Sequence, residues 1–306
     1  MQTQGKKSVK PSYLMPGDTV GIVAPAGPFD REKFMIGKAV LESMGFRTFF
    51  DESVFHKYGF LAGTDVQRAD QVNRLFADPA VQAVVCARGG YGSMRILPFL
   101  DFETIQENPK IFIGYSDISA LLSVFHTRCS LVTFHGPVVT TLANAAQETI
   151  AAMRTVLTSN KILELKPEKG IVIKPGVASG PVAGGNLTTL CHLVGTPYAP
   201  SFNGKILLFE DRGEAPYRID RMLTQMKLAG CFNGITGLIL GSFEECGHLN
   251  EIFAIIANIF EDTDIPVLAG FEIGHGKCNI TIPFGLGAML DTERKRLLFY
   301  EPATIA

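Results

Sequence analysis

Four short runs constrain this chain more than any other feature. Residues 20–24, 83–86, 111–113 and 131–134 are apolar but for Thr133, with no polar alternation inside them. A strand with one wet face alternates, whereas a strand buried on both faces does not. Helical sequence separates the runs. Residues 31–43 read as a helix stopped near Gly45. Thr64 or Asp65 can cap a second, in which Ala69, Val72, Leu75 and Phe76 recur at spacings of three and four before Pro79 closes it. Residues 118–125 read as a third. Buried strands alternating with helices predict a parallel sheet covered on both faces.

Residues 141–175 change character. An Ala-rich helical segment, 143–157, runs into polar sequence holding Lys166, Pro167, Glu168 and Gly170. We therefore expect an N-terminal α/β domain over residues 1–140, a linker over 141–175 and a C-terminal domain over 176–306. The last has its own strands, at 206–209, 238–240, 267–269 and 296–300. Its clearest helix, 217–228, puts Ile219, Met222, Leu223 and Met226 on one face and stops at Gly230. A length of 306 residues accommodates two units of roughly 150 residues each. The expected architecture is two α/β units with a cleft between them.

Charge excludes several classes of partner. Lys+Arg 28 against Asp+Glu 30 gives a net charge of −2, with no basic footprint for nucleic acid or an anionic membrane. No segment approaches the ~20 apolar residues of a spanning helix. The N-terminal sequence lacks the apolar stretch of about 7–15 residues that a secretory signal needs. Six cysteines are scattered singly, without a C-x-x-C pair, as expected of buried thiols in a reducing cytoplasm. Cys246-Gly247-His248 lacks further ligands nearby in sequence, so no metal and no cofactor is expected.

Ser116 is the sharpest chemical candidate. It lies where a buried strand turns into a helix, so its hydroxyl would stand at the carboxyl end of the sheet, where open α/β sheets bind ligands. Gly114 would ease the turn, and the amides beyond, beginning with Asp117, would face an anionic oxygen. The arrangement resembles a nucleophile elbow, but Ile118 stands where G-x-S-x-G has its second glycine. A plain helix N-cap is the competing reading. A serine nucleophile needs a base. Of the histidines at 56, 126, 135, 192, 248 and 275, His126 and His192 read as packing residues and His135 as a residue of the cleft wall. His275, between Gly274 and Gly276, reads as an exposed loop residue. Glu210 closes a buried strand, where a carboxylate needs a partner or a cleft. Asp211 and Glu214 follow it. The cluster Arg88-Gly89-Gly90-Tyr91-Gly92 after another strand suits a phosphate cradle, an oxyanion donor loop or a tight turn.

The ordered series V-A-P-A-G-P, A-R-G-G-Y-G-S, G-Y-S-D-I-S-A-L, G-G-N-L-T-T-L, L-F-E-D-R-G-E-A-P-Y-R-I-D-R and G-H-G spans about residues 14 to 291. It resembles the LD-carboxypeptidases, cytoplasmic serine peptidases acting on murein peptides. The resemblance implies an N-terminal parallel-sheet domain of flavodoxin or class I amidotransferase type, a β-rich α/β C-terminal domain, and an active site at their interface. It implies a triad of Ser116, Glu210 and His275, with Glu214 as the rival carboxylate. The amides of Gly90 and Asp117 would form the oxyanion hole, and Arg88, Asn186, Arg212 and Arg218 are candidate substrate contacts. The implied reaction releases terminal D-alanine from a murein tetrapeptide, and the implied assembly is a homodimer. Two alternatives stand beside it: a microcin-immunity-type hydrolase of peptidyl-nucleotides and a non-catalytic muropeptide-binding protein.

Overall fold

The computed structural model describes residues 8–306. A six-stranded sheet carries the first half. Its core is parallel, built from β1 (Thr19–Val23), β2 (Arg47–Phe49), β3 (Ala83–Cys86), β4 (Ile111–Gly114) and β5 (Thr133–His135), in the spatial order β5-β4-β3-β1-β2. Every residue of β3, β4 and β5 is buried, which is why these runs show no alternation. Helices Arg31–Ser43 and Asp65–Ala77 fall where the periodicity puts them. Thr64 caps the second in a reciprocal capping box with Gln67.

The second half builds an eight-stranded mixed sheet. Its strands are β6 (Glu164–Leu165), β7 (Ile171–Lys174), β8 (Val177–Asn186), β9 (Ile206–Arg212), β10 (Gly237–Glu244), β11 (Val267–Ala269), β13 (Gly287–Asp291) and β14 (Arg296–Phe299), in the order β6-β14-β13-β8-β9-β10-β11-β7. The central four, β8 to β11, run parallel. Helix Pro216–Leu228 buries Ile219, Leu223 and Met226. Within residues 141–175, helix Gln147–Thr158 buries Met153, Val156 and Leu157, while β6 and β7 become the two edges of this sheet.

One strand crosses back. β12 (Ile282–Phe284) pairs antiparallel with β5 and closes the edge of the first sheet. A second seam joins helix Ser119–Cys129 to β8: the Asn186 amide donates to Ser119 Oγ at 3.0 Å. Gly185 makes this approach possible. Its φ is +126°, and a Cβ there would come within 2.5 Å of Ser119 Oγ. The parallel strands of both sheets thus aim their carboxyl ends at one cleft.

Candidate active site

Ser116 follows β4 directly and adopts φ +63°, the left-handed region that costs a non-glycine residue energy. It opens a 3-10 turn, Ser116–Ile118, ahead of helix Ser119–Cys129. Its side chain caps neither, and among the described residues its hydroxyl has no hydrogen-bond partner. The strained turn is that of an elbow, not of an N-cap. Gly114 serves differently from expectation: it shows no positive φ, but a Cβ there would come within 2.7 Å of the Ile118 side chain. Ile118, the residue that breaks the G-x-S-x-G pattern, fills the space Gly114 leaves.

The glycine-rich loop lies against this turn. A Cβ on Gly89 would sit 3.0 Å from Ser116 Cβ, so only glycine fits there comfortably. The loop is anchored by Asp117, whose carboxylate accepts the Ser93 amide at 2.8 Å while Ser93 Oγ donates to the Asp117 carbonyl. Burial raises the Asp117 carboxyl, and these bonds oppose that rise. Gly90 and Asp117 both border the cleft beside Ser116.

The second sheet supplies the other partners. Glu210, near the end of β9, is fully buried, and its Oε2 lies 2.7 Å from His275 Nδ1. His275 stands in the loop after β11, with its side chain 13% exposed, enough to reach the cleft. Gly274 lets the two meet: at φ +106°, a Cβ would intrude to 2.3 Å from Glu210 Oε2. Burial works against the charge on Glu210, but the two imidazoles beside it, His275 bonded at 2.7 Å and His135 3.9 Å away, hold its carboxyl down to about 2. Burial also works against the charged form of His275, and the Glu210 carboxylate overcomes it, raising the imidazole above its ordinary value. The Tyr115 ring packs 4.8 Å from His275, and burial pushes its phenol up to about 12. Glu214 pairs instead with Arg218, at 3.6 Å.

Ser116 and His275 line two adjoining cavities, of about 600 and 730 Å³. Arg88 lines the first, Asn186 the second, and Arg212 both. Arg88 donates to the Pro28 carbonyl, and Arg212 pairs with Glu245 at 2.6 Å. Asn186 is committed to the fold: it caps helix Leu187–Leu193 through Thr189 and donates to Asp211. Arg218 lines neither cavity; it lies over Tyr217 on the exposed side of its helix. His192, read from sequence as a packing residue, is exposed and lines the larger cavity. His135, read as cleft wall, is completely buried beside Glu210. Tyr115 gave no sequence signal beyond standing next to Ser116. Among the described residues, no group of three His, Cys, Asp or Glu side chains is arranged to hold a metal ion.

This architecture matches known families. Residues 20–136 match the model of the LD-carboxypeptidase N-terminal domain, and residues 179–290 that of the LD-carboxypeptidase C-terminal domain. The chain belongs to the LD-carboxypeptidase family. The murein tetrapeptide carboxypeptidase of Pseudomonas aeruginosa is 34% identical over 295 residues, covering 90% of this chain and 94% of that one. A Bacillus subtilis protein named probable murein peptide carboxypeptidase is 37% identical over 297 residues, covering 94% of this chain and 92% of its own. The crystal structure of an MccF-like protein from Bacillus anthracis superposes with a TM-score of 0.90 at 28% identity, covering 95% of this chain and 99% of that one. The expected family membership and two-domain α/β fold are both borne out.

Proposed function

We propose that the protein is a serine carboxypeptidase that hydrolyses the L,D peptide bond releasing terminal D-alanine from murein tetrapeptides. The observation that carries this reading is the buried Glu210–His275 pair at 2.7 Å, in a cleft shared with the left-handed Ser116. The bond to Glu210 occupies Nδ1 of His275 and leaves Nε2 for the serine.

The roles follow from this. His275 Nε2 takes the Ser116 proton as Oγ attacks the scissile carbonyl carbon. The amides of Gly90 and Asp117 receive the negative oxygen, each such donor contributing about 2.7–4 kcal/mol to the barrier reduction. His275 then protonates the departing D-alanine amine, and the C–N bond breaks. Water, deprotonated by His275, attacks the acyl-serine and restores Ser116. Glu210 stays ionised throughout and stabilises the imidazolium. Catalytic contacts of this kind tighten as substrate fills the cleft, consistent with a Ser116 hydroxyl free of other partners. Arg88 and Arg212, which line the cavities shared by Ser116 and His275, serve the substrate carboxylates, with Asn186 as a further polar neighbour and Arg218 outside the cavities. The six cysteines, none of them in a disulfide, suit a reducing cytoplasm, where we place the enzyme, as a homodimer.

Mass spectrometry of tetra-, tri- and pentapeptide muropeptides tests the reaction. Loss of one alanine from the tetrapeptide alone is expected, and Ser116→Ala should abolish it. Unchanged release by that variant would overturn the serine mechanism. The likeness to the MccF-like structure makes a peptidyl-nucleotide the informative second substrate: its cleavage with the tetrapeptide left intact would assign the microcin-type reaction instead. Failure of a serine-reactive phosphonate to label the protein, together with no turnover of any peptide, would leave a muropeptide-binding protein.

A further inference from the structure

Behind the proposed triad lies a concentration of buried polar atoms without partners. Eight such side-chain atoms occur among the described residues, and five belong to His135, Glu210, Asn279 and Thr281. These residues are neighbours in the fold. His135 ends β5 and pairs with Ile282, the residue after Thr281. Asn279 accepts the Gly274 amide through Oδ1 at 2.9 Å and so braces the loop that carries His275. Buried polar groups are ordinarily satisfied, so a cluster of exceptions at one place calls for an explanation.

His135 is the centre of the cluster. It has no exposed surface, and both its ring nitrogens lack partners. Its Nε2 lies 3.9 Å from Glu210 Oε1, the carboxylate oxygen that His275 does not use and that is itself without a partner. That distance is too long for a hydrogen bond and too short to admit a water between the two atoms. The ring rests between Tyr115 and Phe284, with centroids 6.1 and 5.7 Å away. A purely apolar site would favour a phenylalanine, not an imidazole with two unsatisfied nitrogens.

We propose that His135 is a positioning residue of this site: its Nε2–H donates to Glu210 Oε1 in the working enzyme, so that the carboxylate is gripped at both oxygens by two histidines. A ring shift of about 1 Å brings the pair to bonding distance. In this role His135 donates a hydrogen bond and passes no proton. It fixes the carboxylate plane, and with it the direction in which His275 presents Nε2 to Ser116. The inference rests on the triad reading above. The charged and titratable groups facing the pair are His275 and Tyr115, with Asp211 and Arg212 beyond them. Losing the His135 donor leaves Glu210 a stronger base, which favours imidazolium at His275 and moves the acid limb of the rate profile to higher pH.

The test compares His135→Phe with His135→Gln, which retains an amide donor. Two readouts serve: peptide turnover across pH, and the second-order rate of Ser116 labelling by a fluorophosphonate, which requires no choice of peptide. In His135→Phe we expect labelling and kcat to fall tenfold or more, KM to stay near wild type, and the acid limb to move up. In His135→Gln most of the rate should return, with the limb near its wild-type position. Wild-type labelling rate and pH profile in a folded His135→Phe would overturn the inference, because a packing role is served equally well by phenylalanine. A wild-type protein that is never labelled at Ser116 would instead refute the triad reading itself. Labelling without tetrapeptide turnover would count against the substrate alone and leave the His135 comparison readable.

Discussion

Ser116 holds a backbone conformation that serine resists, and the strain has a measurable consequence. Glycine adopts φ +63° freely, so Ser116→Gly should raise the denaturant midpoint by the equivalent of about 1 kcal/mol while eliminating turnover. A neutral or lower midpoint would show that the turn is relaxed. The carboxylate behind the histidine makes a second prediction. Glu210→Gln keeps the shape but loses the charge that fixes the imidazole tautomer, and a fall in kcat on the order of 10⁴ is expected. The same change removes what holds the His275 value up, so its titration should drop. With His275 as the proposed base, which must be unprotonated to act, the acid limb of kcat/KM should lie above the ordinary histidine value of 6.5. For stability the two groups act in opposite directions. Glu210, lowered to about 2 from 4.5, contributes fully above about pH 4.5, and this is lost as pH falls toward 2. His275, raised, contributes below 6.5, and this is lost as pH rises through its folded value. The sequence made Ser116, Glu210 and His275 conspicuous through strand ends and flanking glycines. It could not reveal His135 as the buried neighbour of Glu210, because 75 positions separate the two and only the pairing of β4, β5 and β12 brings the ring inward.

The glycine-rich loop after β3 owes its shape to residues outside it. Arg68, fully buried on helix Asp65–Ala77, donates to the carbonyls of Pro25 and Gly92 and pairs with Asp65, tying together the segments that follow β1 and β3. Asp117 ties the same loop to the Ser116 turn through Ser93. Replacing Asp117 by alanine keeps its backbone amide but leaves the buried Ser93 N–H unsatisfied, a penalty of about 1–3 kcal/mol. The expected outcome is a lowered melting temperature together with a kcat deficit, since Gly90 is held by the same tether. A variant with lowered stability and unimpaired kcat would separate the loop from oxyanion binding. Elements buried on both faces were legible in advance, as the all-buried β3 and β4 illustrate. The edges were not. β6 has two residues and β12 three, too short for a periodic pattern, and Pro283 within β12 argues against a strand until its edge position is known.

Both sheets bring the carboxyl ends of their parallel strands to the cleft: β3 and β4 deliver the glycine loop and Ser116, while β9 and β11 deliver Glu210 and His275. Such a site is only as stable as the relation between the two sheets, and the chain secures it by returning. After His275 the backbone runs through Asn279, whose backbone N–H donates to Thr149 Oγ1 at 2.9 Å, and lays β12 along β5 before rejoining the second sheet as β13. Ile282 and Phe284 are buried there against the first half of the molecule. Cutting the chain at 176 therefore leaves the first half with an open β5 edge and a hole where two large apolar side chains belonged, a loss of several kcal/mol by ~1.5–3 kcal/mol for each fully buried side chain. We expect a fragment of residues 1–176 to aggregate or to lack cooperative unfolding by circular dichroism. Mixing it with residues 177–306 should restore both the cooperative transition and phosphonate labelling of Ser116. A 1–176 fragment that unfolds cooperatively on its own, with the stability of the intact chain, would mean that β12 contributes nothing to holding the proposed triad together.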